Sequence, residues 1–331
     1  MNAEPILAAA VAPVAQAVGR LPGAVLGVVT EAGDRAVHVL GHAQLVPGLV
    51  PMRRDTWFDL ASLTKVIFTT TAILRLVAQD RIGLDDPLTV AVPDLRQYDL
   101  NAAERRLTFR QCLSHQTHLP AVEPLYTYGQ DPDTLRAFIL QRVWQAGPPV
   151  YSDINFMLLG IAIERLTGQR LADQPVAPGL TFRPDPAACA ATECCTWRGR
   201  VLRGEVHDEN AFALGGASGH AGLFGTIDGV LDFALELLRG TEPALAPMRT
   251  PQSPTRTLGW EARHPGWSGG DLCSGATIGH TGFTGTGLWL DFARGIAWSL
   301  VTNRVHPTRH KDTGIQALRC RVGDLIVGTS A

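Results

Sequence analysis

The chain has 331 residues, 45% of them hydrophobic and 18% charged, with a formal net charge of −2. That length allows one large domain or two modest ones with a substantial core. The near-neutral charge and the lack of a long Lys/Arg run argue against nucleic acid or an anionic membrane as partner, leaving a small-molecule or peptide substrate.

The opening residues 1–18 are rich in Ala and Val and read as an amphipathic helix. Glu4, two prolines and no basic residue before Arg20 lack the charged start of a secretory signal, so a cytoplasmic protein is expected, or a periplasmic or extracellular one if the start is incomplete. No stretch reaches the ~18 uninterrupted apolar residues of a membrane span. Residues 21–29 and 36–40 are apolar runs on either side of turn residues 31–34 and predict a hairpin. Apolar residues recurring at three and four predict helices over 60–79, 108–115, 132–143 and 154–166. The first of these carries the stripe Leu60, Leu63, Val66, Ile67, Leu74 and Val77. Residues 173–205 read as loop. Residues 287–292 and 295–302 predict a second strand pair, followed by a last helix over 309–322. The strand-rich ends close most simply into one antiparallel sheet covered by the first and last helices.

Six cysteines form no regular disulfide framework, which suits a reducing compartment. Cys189, Cys194 and Cys195 invite a zinc reading with His207, but their C-x4-C-C spacing matches no common zinc pattern, and no metal or cofactor is expected.

Three short motifs carry chemistry. Ser62-Leu63-Thr64-Lys65 lies on a helical segment, where residues three apart are neighbours, so the Lys65 amine reaches the Ser62 hydroxyl. A hydroxyl is a poor nucleophile until a partner takes its proton, and an apolar helix would push the lysine pKa down toward that task. Tyr151-Ser152-Asp153 precedes the helix beginning near Ile154, where Ser152 or Asp153 can serve as cap. A phenol beside an ammonium can also act as general base and acid, which makes Tyr151 a third candidate. His280-Thr281-Gly282 opens a run of small residues ahead of a strand, suited to close approach of a substrate backbone. A phosphate-binding loop is disfavoured there, because no G-K-[ST] sequence and no helix follow. The stretch 214–224 fails the G-x-S-x-G elbow, since His220 stands at its last position, although His220 could line the cleft.

In this order the motifs resemble those of the penicillin-recognising serine hydrolases, closest to the class C β-lactamase, D,D-peptidase and esterase branch. The likeness spans most of the chain and thins out over 171–205. It implies an α+β fold of the β-lactamase/transpeptidase type: an antiparallel sheet flanked by helices, plus an all-helical lobe, with the active site at their junction. The expected organisation is a single catalytic domain over 1–331, its sheet lobe at about 1–55 and 210–331 and its helical lobe at about 56–209. The resemblance also implies an acyl-enzyme on Ser62, with Lys65 and Tyr151 moving the proton and the Ser62 and Phe283 backbone N–H groups forming an oxyanion hole. Substrate contacts fall to Asp153, His220, His280, Thr281, Gly282 and Phe283.

Two positions depart from the pattern. Asp153 stands where many relatives carry Asn, which replaces an amide donor by an acceptor; it would hold Lys65 by charge or cap the helix. His280 replaces a lysine, so its positive charge would be partial near neutral pH. The expected function is therefore hydrolysis of a peptidoglycan-derived muropeptide or peptide amide, of D,D-peptidase or amidase type. Ester hydrolysis and β-lactam breakdown follow as alternatives. A lapsed binding protein has no need for Ser62, Lys65 and Tyr151 together. Oligomeric state is not legible.

Overall fold

Strand β1, Gly23–Thr30, is buried at all eight positions, as its unbroken apolar run demands of a central strand. It belongs to a computed structural model that describes residues 2–129 and 131–330; Met1, at the head of the expected first helix, lies outside the described residues. Along the chain follow β2 (Arg35–Gln44), β3 (Val50–Pro51), β4 (Phe58–Asp59), β5 (Leu180–Thr181), β6 (Ala191–Cys195), β7 (Arg200–Arg203), β8 (Phe224–Gly225), β9 (Glu261–Ala262), β10 (Thr277–Thr281), β11 (Gly287–Asp291) and β12 (Ile296–Thr302). The main sheet runs β3-β2-β1-β12-β11-β10-β9, with every neighbouring pair antiparallel. The two ends of the chain thus meet at its centre, where Val25 faces Val301.

The helices are α1 (Ala3–Ala17), α2 (Thr71–Ala78), α3 (Phe109–Leu113), α4 (Pro132–Gln141), α5 (Asp153–Thr167), α6 (Glu209–Ala213), α7 (Ile227–Arg239) and α8 (Ile315–Thr329). Helices α1 and α8 cover one face of the sheet, where Ile6, Val14, Val322 and Ile326 join Leu26, Val28, Trp289 and Trp298. The tryptophan rings stack at 5.9 Å. Helix α7 covers the other face, where Leu231 joins Val25, Val29 and Val301. Gly27 lets it approach, since a Cβ there would stand 2.7 Å from the Leu231 side chain. No helix among the described residues is long and apolar enough to cross a membrane.

Three expectations are refined. The helix expected over 60–79 is regular only from Thr71, because Lys65–Thr70 winds as a π-helix. The reason lies in two consecutive threonines: Thr70 Oγ donates to Lys65 O at 2.7 Å and Thr71 Oγ to Val66 O at 3.4 Å, drawing on carbonyls five residues back. The last helix starts at Ile315, after Gly314 at φ +67°, because Arg309 is drawn instead to Glu193 and Glu209. Residues 173–205, expected as loop, contain the β6–β7 hairpin, which turns through Gly199 at φ +65°. Its bulge between Ala191 and Cys194 breaks the alternation that would have marked the strand. Asn303 anchors the hairpin to the main sheet, its Nδ2 donating to Ala191 O at 3.3 Å and Ala43 O at 3.0 Å. All six cysteines are free thiols, and among the described residues they join no cluster fit to hold a metal.

Trp298 is fully buried in this packing, so Trp298→Ala should destabilise the fold by about 3–5 kcal/mol in urea unfolding. Trp197→Ala, at a position 39% exposed on the hairpin turn, should change stability by about 1 kcal/mol or less.

Candidate active site

Ser62 sits at a corner that the backbone must be forced around. Ala61, just before it, holds φ +47°, a conformation alanine adopts only where its surroundings impose it. Those surroundings are polar and buried. Asp59 Oδ1 accepts from Ala61 N–H at 2.8 Å and its Oδ2 from His207 N–H at 2.6 Å. Thr284 Oγ donates to Asp59 O at 2.7 Å, and Thr286 Oγ to Leu60 O at 3.0 Å. The turn between β10 and β11 is therefore bonded directly to the corner that presents Ser62. Gly282 permits this approach, because a Cβ there would stand 2.1 Å from Thr286 Oγ and 2.6 Å from Leu60 O.

Lys65, on the first turn after Ser62, is fully buried behind it. Its Nζ donates to Ser62 Oγ at 2.9 Å and to His220 O at 3.1 Å, and stands 2.8 Å from Asp153 Oδ1. The Tyr151 ring lies 5.0 Å from the ammonium, with its hydroxyl directed at Lys65 and Ser62. The sequence places Ser62 and Lys65 together correctly but misjudges the lysine's charge. Burial opposes that charge more than any other single influence, yet Asp153 and Tyr151 together outweigh it and raise the Lys65 pKa. Burial also raises the Tyr151 pKa, and Asp153 adds to the rise against the opposing pull of Lys65.

A cleft of about 540 Å³ opens over Ser62, bounded by Tyr151, Asp153, His280, Thr281, Gly282 and Phe283. Asp153 faces both this space and Lys65, so its departure from asparagine places a counter-ion in the site. His280 lines the cleft as expected, but not as a partial cation: burial, then the charges of Lys65 and Arg256, hold its pKa well below the ordinary imidazole value. His220 does not face the cleft. It is almost fully buried, Nδ1 against Ser218 Oγ at 3.0 Å and Nε2 against Asp208 Oδ1 at 2.9 Å, and only its carbonyl reaches Lys65. Asp153, Asp208 and His220 come close enough together to suggest a cation site, but Lys65 already supplies the positive charge between the carboxylates. Among the described residues, neither the Ser62 nor the Phe283 N–H makes an internal hydrogen bond, which leaves both free to donate into the cleft.

Several cleft residues escape any local motif: Asp208 and Glu209 at the start of α6, and Arg256, Arg304, Arg309 and Arg319. No spacing signal marks them, because four separate segments bring them together.

This fold and site are those of a serine hydrolase. Residues 10–321 match the family described as Beta-lactamase, and the chain belongs to that family. Over 344 aligned residues it is 31% identical to "N-acetylmuramyl-L-alanine amidase" of Bacillus subtilis (strain 168), covering 86% of this chain and 78% of the relative. Among solved structures, "EstCE1, a hydrolase with promiscuous acyltransferase activity" superposes with TM-score 0.75 at 22% identity, covering 98% of this chain and 99% of that one. A beta-lactamase from Sulfitobacter sp. EE-36 also gives TM-score 0.75, at 21% identity and 99% of each chain. At these identities the structural likeness is one of fold.

His115, beside the Tyr151 ring, shares the condition of His280: burial first, then nearby cations, holds its pKa well below the ordinary value. Below pH ~6.5 the unfolded chain therefore binds protons that these folded rings refuse. Stability is full above that pH and falls as pH drops, by up to about 1.4 kcal/mol per pH unit for each ring. Urea unfolding at pH 7.5, 6.5 and 5.5 should show the decline, with a shallower slope in His280→Gln; an unchanged slope would contradict a neutral buried ring.

Proposed function

We propose that the protein cleaves the amide of a peptidoglycan-derived muropeptide or peptide through an acyl-enzyme on Ser62. The observation that carries this reading is the 2.9 Å contact between Lys65 Nζ and Ser62 Oγ at the foot of the cleft. Ser62 Oγ attacks the carbonyl carbon and gives up its proton to the Tyr151–Lys65 pair. The developing oxyanion accepts from the Ser62 and Phe283 N–H groups, each such donor being worth about 3 kcal/mol in a preorganised site. The same pair returns the proton to the departing amine, and water then repeats the sequence on the ester. Amide specificity is supported by the amidase relative, named for the bond between N-acetylmuramic acid and L-alanine. The six free thiols favour the cytoplasm as the place of action.

A p-nitrophenyl ester should show a pre-steady-state burst that Ser62→Ala abolishes, and N-acetylmuramoyl-L-alanyl peptide should release a new L-alanine amino terminus. Release of only the C-terminal D-alanine from a longer stem peptide would move the assignment to carboxypeptidase. Turnover of simple esters or β-lactams alone would overturn the amide reading.

Lys65 and Tyr151 both retain their protons in the resting site, because both pKa values are raised. The active form has lost one of these protons, so kcat/KM for a neutral ester should climb with pH from 7 to 10. Asp153 holds both protons by its charge, so Asp153→Asn should move the climb to lower pH. A profile that stays put would show that Asp153 does not control the proton.

A further inference from the structure

One wall of the cleft is built from groups that the acyl-transfer chemistry does not use. His207, Asp208 and Glu209 follow one another into α6 and all three border the cleft. The β6–β7 hairpin holds them there. Arg198, at its turn, has an almost fully buried side chain that donates to Val206 O at 2.6 Å, His207 O at 3.1 Å and Asp208 O at 3.3 Å. Glu193, on β6, is buried and fixes the His207 ring: Nε2–H donates to Glu193 Oε2 at 3.1 Å, while Arg309 donates through Nε to the same oxygen at 2.8 Å and through its backbone N–H to Oε1 at 3.1 Å.

Burial works against the charge of Glu193, but the bonds from His207 and Arg309 outweigh it and hold that carboxyl below the ordinary range. An ionised carboxylate only accepts, so the ring proton is fixed on Nε2 and the lone pair of the neutral ring lies on Nδ1. His207 is 3% exposed, yet Nδ1 makes no hydrogen bond among the described residues. The ring stacks on Phe283 at 5.7 Å, and Phe283 keeps half of its surface exposed beside the cleft. The acids of this wall are already paired, Glu193 with His207 and Arg309, Glu209 with Arg309, and Asp208 with His220. A ligand here meets lone pairs and an aromatic surface rather than an unpaired acid. That combination suits a neutral ring with hydroxyls on its rim and C–H groups on its faces: the hydroxyls donate to imidazole and carboxylate, and the C–H groups lie against Phe283.

We propose that His207 and Phe283 form a saccharide subsite in this cleft, with His207 Nδ1 accepting from a sugar hydroxyl or amide N–H and the Phe283 ring covering the sugar's apolar side. The inference rests on the muropeptide reading and names the part of that substrate held away from the scissile bond, its sugar. His207 is a specificity residue in it, because it binds a group that does not react.

Binding measured without turnover separates this subsite from the chemistry. In Ser62→Ala, titration calorimetry compares N-acetylmuramoyl-L-alanine with 2-methoxypropanoyl-L-alanine, which keeps the ether and the amide and lacks the sugar. The sugar ligand should bind at least about ten-fold more tightly, and His207→Ala in the same background should cut that advantage about ten-fold. His207→Asn should restore most of it, since the Asn Oδ1 reaches the place of Nδ1. Equal loss in both variants would give the ring a packing role alone and overturn the hydrogen bond. Absence of binding by the sugar ligand, equal affinity for the two ligands, or an advantage unchanged in His207→Ala overturns the subsite. Should His207→Ala fail to fold, Phe283→Ala decides, because it truncates a half-exposed side chain: an advantage that survives there overturns the subsite as well. The acyl-enzyme reading fails separately, through an ester burst that survives Ser62→Ala.

Discussion

A fully buried ammonium is the constraint around which this molecule is arranged. Lys65 has no exposed surface, so its charge must be met by protein groups at short range: Asp153, the His220 carbonyl and the Ser62 hydroxyl. Each partner comes from a different part of the chain. Asp153 opens α5, His220 lies in the glycine-rich stretch before β8, and Ser62 follows the strained corner at Ala61. Satisfying one lysine therefore fixes three segments relative to each other. The geometry that solvates the charge is the geometry that aims the hydroxyl.

A second set of bonds sets the opposite wall. Thr284 and Thr286 donate to the carbonyls of Asp59 and Leu60, and Arg319 grips Gly282 and Thr286 from beneath. The end of β10, next to the edge strand β9, is thereby held against the chain that leads into Ser62. A substrate entering the cleft meets walls that are already in position, and little reorganisation remains for the reaction itself. Asn303 extends the same strategy to the β6–β7 hairpin, tying it to the sheet through carbonyls at Ala43 and Ala191.

Much of the architecture can be read from local pattern. The apolar run of β1, the paired strands β11 and β12 and the stripe of the helix after Ser62 all advertise themselves, because each is a repeat of two or of three and four residues. The Ser62–Lys65 contact is legible for the same reason, being a spacing along one helix. What escapes is whatever depends on distant partners. The raised pKa of Lys65 needs Asp153, the inward turn of His220 needs Asp208, and the suppressed charge of His280 needs burial beside Lys65 and Arg256. The arginines at the β10–β11 turn are invisible individually, since Arg304 and Arg319 come together only when β12 and α8 fold back over the same loop. The hairpin over residues 191–203 is hidden by its bulge.

The π-helix at Lys65–Thr70 has a consequence for how this chain can change length. A π turn holds about one residue more than an α turn, so removing a residue there would let the segment rewind as α-helix without shortening the axis appreciably. The winding would be kept as well, because a π turn less its extra residue is close to an α turn, and the two sides would hold their relative orientation. Ile73, Leu74 and Leu76 are packed into the core downstream, and Ser62 is pinned by its corner upstream, so a change that leaves both in place is the kind this segment can take up. The extra residue is thus absorbed locally, and the Thr70 and Thr71 hydroxyls, by drawing on carbonyls five residues back, hold the register between Ser62 and the core.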